Sequence, residues 1–298
     1  MNNEKVLFII NKFAGGGFQS KLEGKILDVC ARHNAECTIE FTRKRGNATE
    51  LAREGVAQGY RKIIAVGGDG TVNEVAQGLV HTDVALGIVP KGSGNGLARH
   101  LRLPLVLERA VENIFVARSV IIDTFTLNGH LSLNVSGVGF DGHVANQFGK
   151  DGKRGLIGYT HLTIKEFTKF AEFAATLSID GKTWQTNAFI IAIANSSQYG
   201  NNARIVPIAS VTDGELHVAI VKKVPLVHSP AFIAHFLSNN LERSFFYKVF
   251  SGKHIEISIT SPCPYHIDGE AAGMDHSFVA TIAPASLNIL VPSTSSII

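Results

Sequence analysis

Residues 62–80 read KIIAVGGDGTVNEVAQGLV. The first five are apolar or β-branched apart from Lys62, and 71–80 carry a helical pattern. Between them stand three glycines and one carboxylate. This is a strand, a tight turn and a helix, and the turn has unusually little side chain. Successive glycines let backbone N–H groups approach an anion without Cβ obstruction, and a helix N-terminus adds partial positive charge. Thr71 is expected to cap the helix, with Glu74 completing a capping box. Asp69 beside such a turn is unfavourable unless a cation lies between it and the anion. The spacing therefore points to a magnesium-bound polyphosphate held near Gly67, Gly68, Asp69, Gly70 and Thr71.

Outward from this stretch the same alternation continues. KVLFII (5–10), ECTIEF (36–41) and ALGIV (85–89) are strand-like, and helical patterns follow near 19–33, 47–59, 94–101 and 105–117. Short apolar strands separated by helices predict a parallel sheet covered on both faces, with ligands beyond the carboxyl ends of its strands. NKFAGGG (11–17), VGGDGT (66–71) and PKGSGNG (90–96) all fall there. The expected N-terminal domain is α/β over 1–125, with 286–298 as a strand that could return to it. From 126 to 285 the runs shorten and alternate, which predicts an antiparallel β-rich domain. Helical insertions are expected near 155–175 and 227–240.

Composition narrows the function classes. The chain has 298 residues, 45% of them hydrophobic, and a net charge of +3. That charge is too small to argue for nucleic acid, and no nucleic-acid partner is expected. No apolar run reaches the ~18 residues of a membrane span. Cys30, Cys37 and Cys263 have no metal-type spacing and read as three reduced thiols in a cytoplasmic protein.

Asp-Gly pairs at 180–181, 151–152 and 141–142 read as a hairpin, a basic surface loop, and either a helix start or a site. GxxxxGK[ST] is absent, and no GxGxxG follows the first strand, so neither the usual P-loop nor the usual dinucleotide fingerprint applies.

GGDGTVNEV followed about twenty residues later by PKGSGNGLAR (90–99) resembles the diacylglycerol kinase catalytic-domain family, which includes sphingosine and ceramide kinases and soluble bacterial lipid kinases. Thr42 before GNATELA, Asp123 in SVIIDTFTLNG, GVGFD (137–141), the 192–216 segment and HIDGE (266–270) extend the likeness along the chain. The resemblance implies an α/β nucleotide domain, a β-rich second domain, ATP and Mg²⁺ as cofactors, and transfer of phosphate to a lipid hydroxyl. It implies ATP contacts at Asn11, Thr42, the 67–71 turn, Ser93 and Asn95. It implies a magnesium site at Asp213 with the carbonyls of Ser210 and Glu215, substrate-side roles for Asp123 and Asp141, and Glu270 as acceptor of the hydroxyl proton, with Asp69 as the alternative base. Asn11-Lys12 departs from the usual Asn-Pro. Gly96 replaces a frequent Asp, which brings SGNGLA nearer the long-chain-base branch.

A lipid substrate implies peripheral, reversible contact with a membrane. Segments 156–177 (with Phe167, Phe170 and Phe173) and 229–250 are the candidate apolar lips, and Lys150, Lys153 and Arg154 the candidate headgroup contacts. Phenylalanine at helical spacing is equally a core pattern. A homodimer is an open assembly state. The rival functions are a kinase of a soluble hydroxyl substrate, of the NAD kinase type, and a non-catalytic nucleotide- or lipid-binding regulator.

Overall fold

A computed structural model describes residues 4–15, 21–148 and 155–294. The chain divides into two compact units, 1–122 with 285–298, and 123–284.

The first unit alternates strands and helices. In order they are β1 (Lys5–Ile10), α1 (Leu22–Arg32), β2 (Glu36–Phe41), α2 (Asn47–Ala57), β3 (Lys62–Gly67), α3 (Asp69–Leu79), β4 (Ala85–Pro90), α4 (Gly96–His100) and α5 (Leu107–Val116). The strands lie parallel in the order β2-β1-β3-β4. Ile289, near the end of the last strand, pairs parallel with Leu86, so the C-terminal segment does return to this sheet. β1, β3 and β4 are buried almost throughout, as double-sided covering by helices requires. The strand order reverses between β1 and β3, and crevices at such reversals are where open α/β sheets bind ligands.

Two expectations are corrected here. Helix α3 begins at Asp69 rather than at Thr71, because Gly68 is extended and its carbonyl already accepts the Val72 N–H. Glu74 does not close a capping box on its own helix. Its two oxygens accept the N–H groups of Gly46 and Ala48 at 2.9 and 3.2 Å, so it caps α2 instead. Gly78 makes that possible, since a Cβ there would lie 2.7 Å from the Ala52 Cβ. The three reduced thiols are also corrected. Cys30 in the last turn of α1 and Cys37 in β2 form a disulfide with Cα atoms 6.3 Å apart, because the short 33–35 connection folds β2 back beside its helix. Cys263 is free and buried.

Strand β5 (Arg118–Leu127) carries the chain into the second unit. There follow β6 (His130–Ser132), β7 (Val135–Gly139), α6 (Phe140–Gln147), α7 (Gly155–Phe167), β8 (Phe173–Ile179), β9 (Lys182–Ala188), β10 (Ile190–Ala194), β11 (Gln198–Gly200), β12 (Ala203–Arg204), β13 (Leu216–Val221), α8 (Ser229–Leu237), β14 (Tyr247–Gly252), β15 (His254–Ile267) and β16 (Glu270–Val291). Pairing is antiparallel through β14-β13-β10-β7-β15. The β8-β9 hairpin adds to β15. It turns at Asp180 and Gly181, with φ of 48° and 82°, as Asp-Gly chemistry predicts.

The first helical insertion stops at Phe167, shorter than expected, because 173–179 alternates and joins the sheet. Phe167 and Phe170 pack with Phe140 and Phe189 at centroid distances of 5.3 to 6.0 Å, so their helical spacing is a core pattern. Lys150, Lys153, Arg154 and the Asp151-Gly152 pair lie outside the described residues.

Candidate active site

The parallel sheet gathers the first set of candidates at its carboxyl edge. Asn11 follows β1, Thr42 follows β2, Gly67 ends β3 with 68–71 after it, and Lys91–Asn95 follow β4. Because β3 and β4 pair in register, with Gly67 opposite Pro90, two motifs twenty residues apart become neighbours. Lys91 N–H donates to the Gly67 carbonyl at 2.7 Å. A Cβ on Gly92 would lie 2.7 Å from the Gly68 Cα, so the two turns meet main chain to main chain.

Side chains lock this arrangement. Asn11 Nδ2 donates to the Thr71 hydroxyl at 3.1 Å, across the sheet reversal. Asp69 Oδ1 accepts from the Gly96 N–H at 2.8 Å, tying one glycine turn to the other. Asn95 sits at φ 51°. Its amide oxygen accepts from Gly92 N–H and its amide nitrogen donates to the Gly92 carbonyl, so both ends of that side chain close its own turn. Thr42 donates its N–H to Ile10 O, and Ser93 is exposed. Where the usual Asn-Pro is replaced by Asn11-Lys12, the Lys12 ammonium stands 3.7 Å from the Phe41 ring centroid, a cation–π contact linking the loops after β1 and β2.

Lys91 was not singled out from the sequence. It donates to the Ala14 carbonyl, and partial burial lowers its pKa from the ordinary lysine value. A lysine inside a glycine-rich turn was the available signal.

In the second unit, Asp123 is buried and its Oδ2 accepts from Gly214 N–H at 2.7 Å. Asp213 follows in that loop, with Oδ1 accepting from Glu215 N–H at 3.0 Å and Oδ2 lying 3.1 Å from His217 Nε2. The hydroxyl of Ser210 pairs with that of Thr212. The structure thus joins Asp123 to the 210–215 loop. A hard cation needs oxygen ligands, and Mg²⁺ takes one or two carboxylates with phosphate and water making up the rest. Asp213 and Asp69 each fit as a single carboxylate. Among the described residues no group of three His, Cys, Asp or Glu side chains gathers that could hold a metal by itself.

Asp141, Tyr199 and His266 form a second buried group. Asp141 Oδ2 accepts from the Tyr199 hydroxyl at 2.9 Å and faces His266 Nε2 at 3.2 Å. Oδ1 accepts from Gly142 N–H. Burial, followed by the Asp141 charge, raises the Tyr199 pKa well above the usual tyrosine value. The GVGFDG glycines serve this cluster: a Cβ on Gly137 would lie 1.9 Å from Asp141 Oδ2, and one on Gly142 would lie 2.4 Å from the Pro264 carbonyl. Tyr199 and His266 were missed from sequence, because only the fold brings them to Asp141.

Glu270 opens β16 directly after the Asp268-Gly269 turn, opposite Ile267, and is exposed. Asp268 anchors the turn by accepting from the Ser132 hydroxyl and from the N–H groups of Leu133 and Asn134. Asp69 and Glu270 belong to different units.

Residues 5–127 match the diacylglycerol kinase catalytic domain, and 134–291 match the YegS C-terminal NAD kinase beta sandwich-like domain. A probable lipid kinase YegS-like protein of Pseudomonas aeruginosa is 32% identical over 229 residues, covering 74% of this chain and 73% of that one. Its counterpart in Chromohalobacter salexigens is 28% identical over 269 residues, covering 87% and 85%. A solved diacylglycerol kinase from Bacillus anthracis str. Sterne superposes with TM-score 0.79 at 23% identity over 99% of this chain and 100% of that one, a likeness of fold. Another solved chain from that organism gives TM-score 0.84 at 25% identity over 99% of both chains.

Proposed function

The chain belongs to the YegS-like lipid kinases with a diacylglycerol kinase catalytic domain, and from that membership we propose that it moves the γ-phosphoryl group of ATP to the hydroxyl of a membrane lipid. The lipid class in this reading is a diacylglycerol or a long-chain base. One observation carries it: two glycine turns backed against each other at the carboxyl edge of a parallel sheet, beside its reversal, joined by the Asp69–Gly96 hydrogen bond. Bare main chain at a sheet reversal suits a polyphosphate tail.

Phosphoryl transfer asks the protein mainly to position and to neutralise charge. Bound Mg²⁺ would neutralise the phosphate oxygens, with Asp69 as a carboxylate ligand and Asp213 with the Ser210 and Glu215 carbonyls as a separate position. Glu270 takes the lipid hydroxyl proton. Asp69 is the weaker candidate for that task, because one of its oxygens is already committed to Gly96.

The membrane face in this reading lies around α8. Phe232 and Phe236 pack inward, while Ile233 and Leu237 on the same helix are exposed, with Leu226, Val227 and Phe245 on the flanking turns. A helix apolar on every side belongs against protein or lipid, and an interfacial helix inserts such a face at the headgroup boundary. Among the described residues no helix is long and apolar enough to cross a membrane. Incubation with γ-labelled ATP, Mg²⁺ and a total lipid extract tests the proposal. Label in the organic phase supports it, and label confined to water-soluble products or absent altogether rejects it.

A further inference from the structure

The Asp268-Gly269 turn is held from two sides. Asp268 binds the 132–134 backbone, as described above. On the other side Gly269 N–H donates to His266 Nδ1 at 3.1 Å. A nitrogen that accepts an N–H carries no proton, so the neutral imidazole bears its hydrogen on Nε2. Nε2 faces Asp141 Oδ2 at 3.2 Å and donates to it. Asp141 is itself fixed by the Tyr199 hydroxyl and by Gly142 N–H. His266 is 2% exposed and Asp141 6%, so neither reaches solvent freely. The result is a chain of contacts from Tyr199 through Asp141 and His266 to Gly269, the residue before Glu270.

We propose that His266 is a positioning residue for phosphoryl transfer, its bare Nδ1 holding the turn that aims Glu270 while Asp141 fixes its tautomer. The inference rests on the reading of Glu270 as the proton acceptor. It gives Asp141 a role different from touching substrate, since both of its oxygens serve this chain. It also explains Gly137, where a Cβ would lie 2.8 Å from His266 Nε2 as well as against Asp141.

Asp141 on α6 lies against the imidazole, and the Tyr199 ring on β11 has its centroid 5.9 Å away. Tyr159 on α7 and Cys263 on β15 feel the same Asp141 charge. Opposite His266, β7 offers Gly137 and β16 offers Ala271, neither of which titrates.

Two isosteric variants separate the two hydrogen bonds. In His266→Asn the amide oxygen takes the place of Nδ1, accepts from Gly269 and does not titrate. In His266→Gln the amide nitrogen takes the place of Nε2 and leaves Gly269 without its acceptor. With lipid phosphorylation followed, the Asn variant is expected to keep kcat within about fivefold. The Gln variant is expected to lose about tenfold or more in kcat with little change in KM for ATP. Equal activity of the two variants overturns the proposal. If neither variant folds, ¹⁵N NMR of the wild-type imidazole decides, because a protonated Nδ1 near neutral pH overturns it and a bare Nδ1 supports it. A wild-type protein that phosphorylates no lipid rejects the kinase reading itself, and the imidazole spectrum still reports whether the tautomer is as assigned.

Discussion

Asp69 and Gly96 are joined by a 2.8 Å hydrogen bond from the glycine N–H to the aspartate carboxylate, which ties the two glycine turns together. The carboxylate therefore has a structural task as well as the proposed ionic one. Asp69→Asn keeps an oxygen that can accept from Gly96 and removes the charge, whereas Asp69→Ala removes both. Kinase activity is expected to fall in both variants. Thermal unfolding is expected to separate them, with only the Ala variant losing about 1–3 kcal/mol for the unpaired N–H. Wild-type activity in Asp69→Asn contradicts a role for its charge.

Gly92 has no room for a methyl group, because its Cβ would lie 2.7 Å from the Gly68 backbone and 2.8 Å from Asn95 Oδ1. Gly92→Ala is expected to separate the turns, destabilise the fold by about 1–3 kcal/mol and weaken ATP binding measured by calorimetry. Gly24, exposed within α1 with nothing within 4 Å of its Cβ position, is the control. Gly24→Ala is expected to stabilise by about 0.5–1 kcal/mol and to leave ATP binding unchanged.

Thiol chemistry reads the cysteine arrangement. Thiol titration of the oxidised protein is expected to detect Cys263 only after unfolding, and Cys30 and Cys37 only after reduction as well. The eight-residue loop that the disulfide closes suggests that Cys37→Ser costs about 2 kcal/mol. Two or more thiols reacting in the native, unreduced protein contradict this pairing.

Alkaline pH bears on the same buried site. Burial, with the Asp141 charge adding to it, pushes the Cys263 thiol from 9.0 up to about 12, and buried Tyr199 shifts in the same direction. The unfolded chain loses these protons first, so stability is complete below about 9 and declines as pH rises towards 12. Denaturant midpoints measured across that range check the sign, and a midpoint that rises with pH contradicts it.

Leu237 and Phe245 are exposed to 75% and 97%. Replacing both with Asp is expected to reduce sedimentation with lipid vesicles severalfold and to leave phosphorylation of a detergent-dispersed lipid within about twofold. Undiminished vesicle binding moves the membrane contact elsewhere on the chain.

The alternation of strand and helix was legible because each strand of the first sheet is short, apolar and bounded by its own turn. The phosphate turns were legible because glycine carries its meaning locally. What escaped the sequence depends on partners that the fold supplies. Glu74 carries out capping chemistry, but on α2, which only the α2–α3 packing at Gly78 reveals. Asp141 was visible as a candidate, but the His266 that engages it is 125 residues away. Three cysteines with no motif spacing gave no hint that α1 and β2 fold back closely enough to pair two of them.

A lipid is the acceptor proposed for this chain, whose second domain matches an NAD kinase-like sandwich. The most direct measurement offers the wild-type protein Mg-ATP with equimolar dispersed diacylglycerol, long-chain base and NAD, and resolves the products by mass. The expected product is a phosphorylated lipid that disappears in Glu270→Gln. NADP as the phosphorylated product, with both lipids unchanged, would contradict it.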